Sequence, residues 1–148
     1  MIRVIRDSDT WPVRQKVLRP HQQASDMSFP FDDNPESMHL GFFTGGEVVG
    51  ILSVYPMDRQ EKYSREWYRI RGMAVVPDQQ GQGVGHKLMD EAFKRLERRA
   101  NPGSQIWCNA RTSAVGFYEK HGFIKEGDEF EIQGVGPHFV MVRAIHSS

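Results

Sequence analysis

The sequence predicts a mixed α/β domain with a largely antiparallel sheet whose fourth and fifth strands run parallel. Residues 69–88 read as strand, glycine turn and helix in immediate succession. On either side lie short runs rich in β-branched and aromatic residues, punctuated by Gly, Pro, Asn and Asp. A helix that follows one strand and returns the chain to the next joins parallel neighbours. At 148 residues, 39% hydrophobic and 26% charged, the chain suits one domain over residues 1–148 with a substantial core.

The elements follow in order. Residues 2–5 form a first strand. Ser8 or Asp9 caps a helix from about Thr10, with Pro12 tolerated in its first turn and Pro20 limiting it. Trp11, Val13, Val17 and Leu18 supply its apolar contacts. Residues 21–37 are polar and irregular, with Pro30, Pro35 and the pair Asp32-Asp33; so long a loop is either functional or a disordered connector. Residues 39–44 and 48–55 are strands joined at Gly45-Gly46, a hairpin signal. After a polar turn, residues 63–76 contain the central fourth strand, which Pro77 stops because it has no N–H for a ladder. Val84, Leu88, Met89, Ala92, Phe93 and Leu96 then mark one face of a helix, and Asn101-Pro102-Gly103 ends it. Residues 106–110 are the fifth strand. Thr112 or Ser113 caps a second helix that Gly122 closes. Residues 123–125, 129–133 and 138–144 read as three last short strands, with a turn over residues 134–137.

Lys plus Arg and Asp plus Glu number 19 each, so no overall charge draws the chain to nucleic acid or an anionic membrane. Lys94, Arg95, Arg98 and Arg99 read as a solvated face complementing a helix C-terminus. The single Cys108 excludes an internal disulfide and points to a reducing, cytoplasmic setting. No apolar run approaches the roughly 18 residues of a membrane span, and the N-terminus has no signal-peptide core. Six His and one Cys show no metal-ligand spacing, and no metal is expected.

Strand, glycine turn and helix together favour a phosphate. The first turn of a helix has backbone N–H groups with no intrahelical partner, and the macrodipole makes that end partly positive. Glycines let the backbone approach an anion without Cβ atoms in the way. Three glycine codes compete. The dinucleotide fingerprint GxGxxG fails because its third glycine would fall on His86, and the P-loop GxxxxGK is not present. The third, [Gln/Arg]-x-x-Gly-x-[Gly/Ala], is matched throughout by Gln80-Gly81-Gln82-Gly83-Val84-Gly85.

With that motif the chain resembles the GNAT superfamily of N-acetyltransferases, in which it forms the acetyl-CoA pyrophosphate loop after a strand ending as Val75-Val76-Pro77 does. A second stretch, Ala114-Val115-Gly116-Phe117-Tyr118-Glu119-Lys120-His121-Gly122-Phe123, looks like the family's A-x-x-[apolar]-Y-x-x-x-G-F helix and turn. The resemblance runs from about Gly46 onward. It implies a GNAT fold with the sheet splayed between strands 4 and 5, flanking helices, and the pantetheine arm of acetyl-CoA lying along strand 4.

The resemblance also implies the reaction and its residues. The acetyl group would pass directly to a primary amine, taken here as that of a small molecule; the acidic residues Asp26, Asp32, Asp33 and Glu36 of the long loop would attract a cationic amine. A protein N-terminus or lysine is the alternative acceptor, and a non-catalytic acyl-CoA sensor the alternative class. Tyr118 is the candidate general acid for the departing thiolate. Gln80, Gly81, Gln82, Gly83, Val84 and Gly85 would hold the pyrophosphate, and backbone N–H groups of Met73, Ala74 and Val75 the pantetheine or the oxyanion. Asn109 is a further cofactor contact. Arg111 stands where many members have an asparagine that touches CoA, and arginine suits a phosphate. Arg69 falls about where many members carry a basic glutamate, which leaves Glu66, His39 and His138 as base candidates. The loop over residues 21–37 would wall the acceptor side, and pairing through the C-terminal strands makes a homodimer a candidate assembly.

Overall fold

The computed structural model describes residues 1–23 and 26–146. Seven strands are hydrogen-bonded in the order β1-β2-β3-β4-β5-β7-β6. They are β1 (Ile2–Val4), β2 (Met38–Thr44), β3 (Glu47–Tyr55), β4 (Trp67–Val75), β5 (Gln105–Arg111), β6 (Ile124–Ile132) and β7 (Gly136–Ala144). The helices are α1 (Trp11–Val13), α2 (Val84–Arg99) and α3 (Val115–Lys120). The chain divides into two compact units, one built from residues 1–55 and 70–95, the other from residues 56–69 and from 96 onward.

In the first unit β1, β2 and β3 form an antiparallel meander. Gly45 and Gly46, at φ 59° and 81°, make the two-residue turn between β2 and β3, a conformation side chains resist. The expected first helix is a composite. A tight turn over Asp7–Thr10 leads into α1, and Arg14–Leu18 then widens to π geometry, with the Arg19 N–H donating to the Arg14 carbonyl at 3.0 Å. Asp9 tethers its start by accepting from the Arg6 N–H at 3.0 Å.

Helix α2 packs against β3 at Gly50. A Cβ there would come within 2.7 Å of Val84 and 3.2 Å of Leu88, so only glycine permits this approach. Val84, Leu88, Met89, Ala92 and Phe93 are buried, as their helical spacing predicts. Each of these side chains except that of Ala92 contributes about 1.5–3 kcal/mol. Val13, Val49, Ile51, Ala74 and Val76 form a second cluster in this unit.

In the second unit β5 pairs antiparallel with β7 over the whole of β5, from Gln105 with Ala144 to Arg111 with His138. The three expected C-terminal strands are two. β6 runs unbroken from Ile124 to Ile132, with a register shift between Glu126 and Phe130 and Gly127 at φ 82°. The polar break in the sequence is therefore a β-bulge, which interrupts pairing without ending the strand. The parallel ladder between β4 and β5 covers only Trp67 with Gln105, Tyr68 with Ile106 and Arg69 with Trp107. Its last pair is Arg69 with Trp107. Gly122, at φ 85°, closes α3, and the Arg143 guanidinium donates to the His121 carbonyl at 2.9 Å.

Candidate active site

The glycine turn is built as its residues predict. Residues 77–79 curl into a short helical turn after β4, and the Gln80 side chain donates to the Val75 carbonyl at 2.9 Å, tying the turn to the strand end. Gly81 and Gly83 lie at φ 78° and 81°, with open space where a Cβ would be. The first helical bond of α2 runs from the Lys87 N–H to the Gly83 carbonyl at 3.0 Å. Among the described residues no carbonyl accepts from the N–H groups of Gly81, Gln82, Gly83, Val84 or Gly85. These donors, on a turn with exposed Gly81 and Gln82, make a nest for an anion. The residues present therefore fit a pyrophosphate. Of the three β4 residues named for the pantetheine, Ala74 is buried and Met73 and Val75 are half-buried. Gly72, just before them, has φ 70°, a conformation that favours glycine.

Tyr118 lies on α3 in the second unit, 8% exposed, with its ring edge-on to Phe117 at 5.2 Å and to Phe123 at 5.5 Å. Burial, and then the neighbouring Cys108, push its phenol well above the ordinary tyrosine range. Its hydroxyl is therefore protonated. Cys108 is buried on β5 and its thiol is pushed up to about 12, mainly by burial. It is a protonated thiol and a poor nucleophile.

The three base candidates occupy different settings. His39 is 5% exposed; its Nε2 donates to the Asp32 carbonyl at 3.0 Å and its Nδ1 accepts from the Ser53 hydroxyl at 2.7 Å. A carbonyl can only accept, so the tautomer is set and both nitrogens are engaged. His138, on β7, is 4% exposed, and its Nδ1 donates to the Gly136 carbonyl at 2.7 Å. Its Nε2 has no partner among the described residues. Glu66 is exposed just ahead of β4. Arg69, 6% exposed, stacks over Trp107 at 4.6 Å and pairs with Glu61 at 2.9 Å. Arg111 is exposed at the end of β5, opposite His138 in the ladder, and Asn109 is half-buried on the same strand face.

One group of residues went unrecognised in the sequence. Arg14 is fully buried and holds Asp32, itself 4% exposed, by two bonds of 2.6 and 3.0 Å. Asp32 also accepts from the Tyr55 hydroxyl at 2.5 Å and the Phe29 N–H at 2.8 Å. Arg14 reaches further, to Ser53, Tyr55 and the Met27 carbonyl. Burial would raise the Asp32 pKa, but Arg14, Phe29 and Tyr55 together bring it below the ordinary value of 3.8. Asp32 is thus a buried counter-ion and not the surface acid expected to attract an amine. With Met27 and Phe29 also buried, this end of the long loop is packed against its unit. The legible signal was Arg14 itself, three and four residues before Val17 and Leu18 on an apolar face, where a cation needs a buried carboxylate.

Comparison with known proteins gives the class. The acetyltransferase (GNAT) domain profile matches residues 13–143. The uncharacterised N-acetyltransferase YitI of Bacillus subtilis (strain 168) is 34% identical over 148 residues, covering 99% of this chain and 97% of YitI. Among solved structures, Escherichia coli ElaA superposes with a TM-score of 0.78 at 19% identity over 97% of this chain and 98% of its own. An aminoglycoside 6'-N-acetyltransferase complexed with coenzyme A gives 0.77 at 14% identity, over 100% of this chain and 98% of its own. The chain belongs to the GNAT family of N-acetyltransferases, acyltransferases that take their acetyl group from acetyl-CoA. Among the described residues no helix is long and apolar enough to cross a membrane.

Proposed function

We propose that this protein moves the acetyl group of acetyl-CoA directly to the amine of a small molecule, with Tyr118 as general acid and His138 as general base. The observation that carries the reading is a pair of buried groups in one unit: a phenol held protonated, and an imidazole whose Nδ1 is tied to the Gly136 carbonyl so that Nε2 is left to act. Direct transfer needs both. The amine nitrogen forms a bond to the thioester carbon and loses a proton; the carbon–sulfur bond breaks and the thiolate gains one. His138 Nε2 takes the first proton and Tyr118 gives the second.

The pKa match survives burial. Tyr118 is raised, yet a thiolate leaving into similar surroundings would also gain proton affinity, as the thiol of nearby Cys108 does. The N–H nest of residues 81–85 orients the donor through its pyrophosphate. Backbone N–H groups of Met73, Ala74 and Val75 are the candidate partners of pantetheine and oxyanion, and Asn109 and Arg111 of further CoA contacts.

Like-folded proteins include one named for an aminoglycoside and one named for an alanine of ribosomal protein S18, so fold alone does not choose the acceptor. The Arg14–Asp32 pair draws residues 26–32 inward in its unit, which favours a compact acceptor over a polypeptide. Thiol release from acetyl-CoA, measured with a panel of small amines and of peptides with free N-termini, tests this. Turnover of small amines is expected. Turnover of peptides alone would overturn the acceptor assignment, and acetyl-CoA binding with no turnover of any amine would make the protein a sensor.

A further inference from the structure

We propose that the arginines gathered around Phe29 bind an oxyanion carried by the acceptor, so that the amine acetylated here also bears a carboxylate or a phosphate. This rests on the acetyl-transfer reading above. Phe29 is buried, and three guanidinium groups stand over its ring: Arg14 at 4.0 Å, Arg71 at 4.4 Å and Arg19 at 4.8 Å. The ring attracts each cation, but three like charges on one ring repel one another. Asp32 answers Arg14 with both its oxygens. Arg19 is half-buried and meets no carboxylate among the described residues.

The cluster also holds an unsatisfied donor. Arg14 is fully buried, yet its Nε has no hydrogen-bond partner among the described residues. The place a Cβ would take at Gly72 lies 3.7 Å from that nitrogen and 3.2 Å from the Phe29 ring. Gly72 sits at φ 70°, a conformation other residues resist, so no side chain stands between the strand backbone and Nε. A buried N–H donor, two further guanidiniums and an aromatic floor suit a planar oxyanion that accepts paired bonds.

The acetyl donor's own pyrophosphate is a poor match for this place. Along β3, Gly50 faces α2 while Ser53 and Tyr55, at odd offsets, face the opposite side. Arg14 bonds Ser53 and Tyr55, so the cluster lies on the face away from α2, whose first turn carries the N–H nest. The oxyanion therefore belongs to the second substrate.

The test is binding, which needs no turnover. N-acetylglycine, the phosphate ester of N-acetylethanolamine and the neutral N-acetylglycine methylamide are titrated by ligand-observed NMR into the full chain, into Arg19→Gln and Arg71→Gln, and into Lys16→Gln as an exposed control on the same helical run. The proposal expects an anionic probe to bind about tenfold or more tightly than the amide, with that preference lost in Arg19→Gln and Arg71→Gln and kept in Lys16→Gln. Whether the carboxylate or the phosphate is preferred identifies the group. Equal binding of all three probes, no binding, or equal losses in the control would overturn it. Acetyl transfer is decided separately by thiol release, so either reading can fail while the other stands.

Discussion

Replacing Gly83 separates the two properties of the glycine turn, its backbone conformation and its affinity for an anion. Gly83 lies at φ 81°, and no atom comes within 4 Å of an added Cβ. Gly83→Ala therefore introduces strain without a clash, about 1–2 kcal/mol for an L-residue in this region. At roughly 2–4 °C per kcal/mol for a chain of this size, melting should fall by about 2–8 °C. That strain is present with or without ligand, so acetyl-CoA affinity should change by less than about tenfold. Gly83→Asp carries the same strain plus a negative charge among the N–H donors. One pair of like charges about 4 Å apart at an effective dielectric of about 20 repels by about 4 kcal/mol. Screening at an exposed turn reduces this, leaving a loss of about a hundredfold or more relative to Gly83→Ala. Calorimetric titration with acetyl-CoA reads both variants. Binding by Gly83→Asp within about threefold of Gly83→Ala would refute the pyrophosphate assignment.

Other outcomes follow from the buried charges and the histidines. Asp32→Ala strands the fully buried Arg14 cation and should lower stability by about 3–5 kcal/mol in urea unfolding, whereas Arg14→Met with Asp32→Leu should lose far less; similar losses in both would mean the pair is not the reason. Because the Asp32 pKa is depressed in the folded protein, its contribution is full above the ordinary value of 3.8 and is lost as pH falls through the lower folded value. Acid unfolding should accordingly begin below about pH 4 and shift upward when Asp32 is mutated. His138→Gln should reduce kcat about a hundredfold or more, while His39→Ala should lower melting and leave kcat within a few-fold; the reverse pattern would move the base to His39.

The parts of this molecule legible in sequence are those whose causes are local. Pro77 ends a strand, Gly81 and Gly83 adopt left-handed φ, and Val84, Leu88 and Ala92 repeat at helical spacing; each depends on neighbours within a turn or two. The same holds for Gly45-Gly46 and for Gly122. β6 divides in sequence because Glu126, Gly127 and Asp128 look like a turn, and only the pairing with β7 on either side of them joins the two segments into one strand. The Arg14–Asp32–Tyr55 network joins residues from a helix, a loop and a strand. No periodicity links them, so Asp32 read as a surface acid. His39 and His138 were equal as residue types and differ only in what each ring nitrogen touches, which is tertiary information.

The proposed acetyl transfer turns on Tyr118. Its test is kcat for Tyr118→Phe by thiol release with the best amine acceptor, alongside calorimetric affinity for acetyl-CoA. Removing one oxygen from a ring packed between Phe117 and Phe123 leaves the packing in place. The account predicts that kcat falls by about tenfold or more while acetyl-CoA affinity stays within about twofold. An unchanged kcat would contradict it and remove Tyr118 from the chemistry.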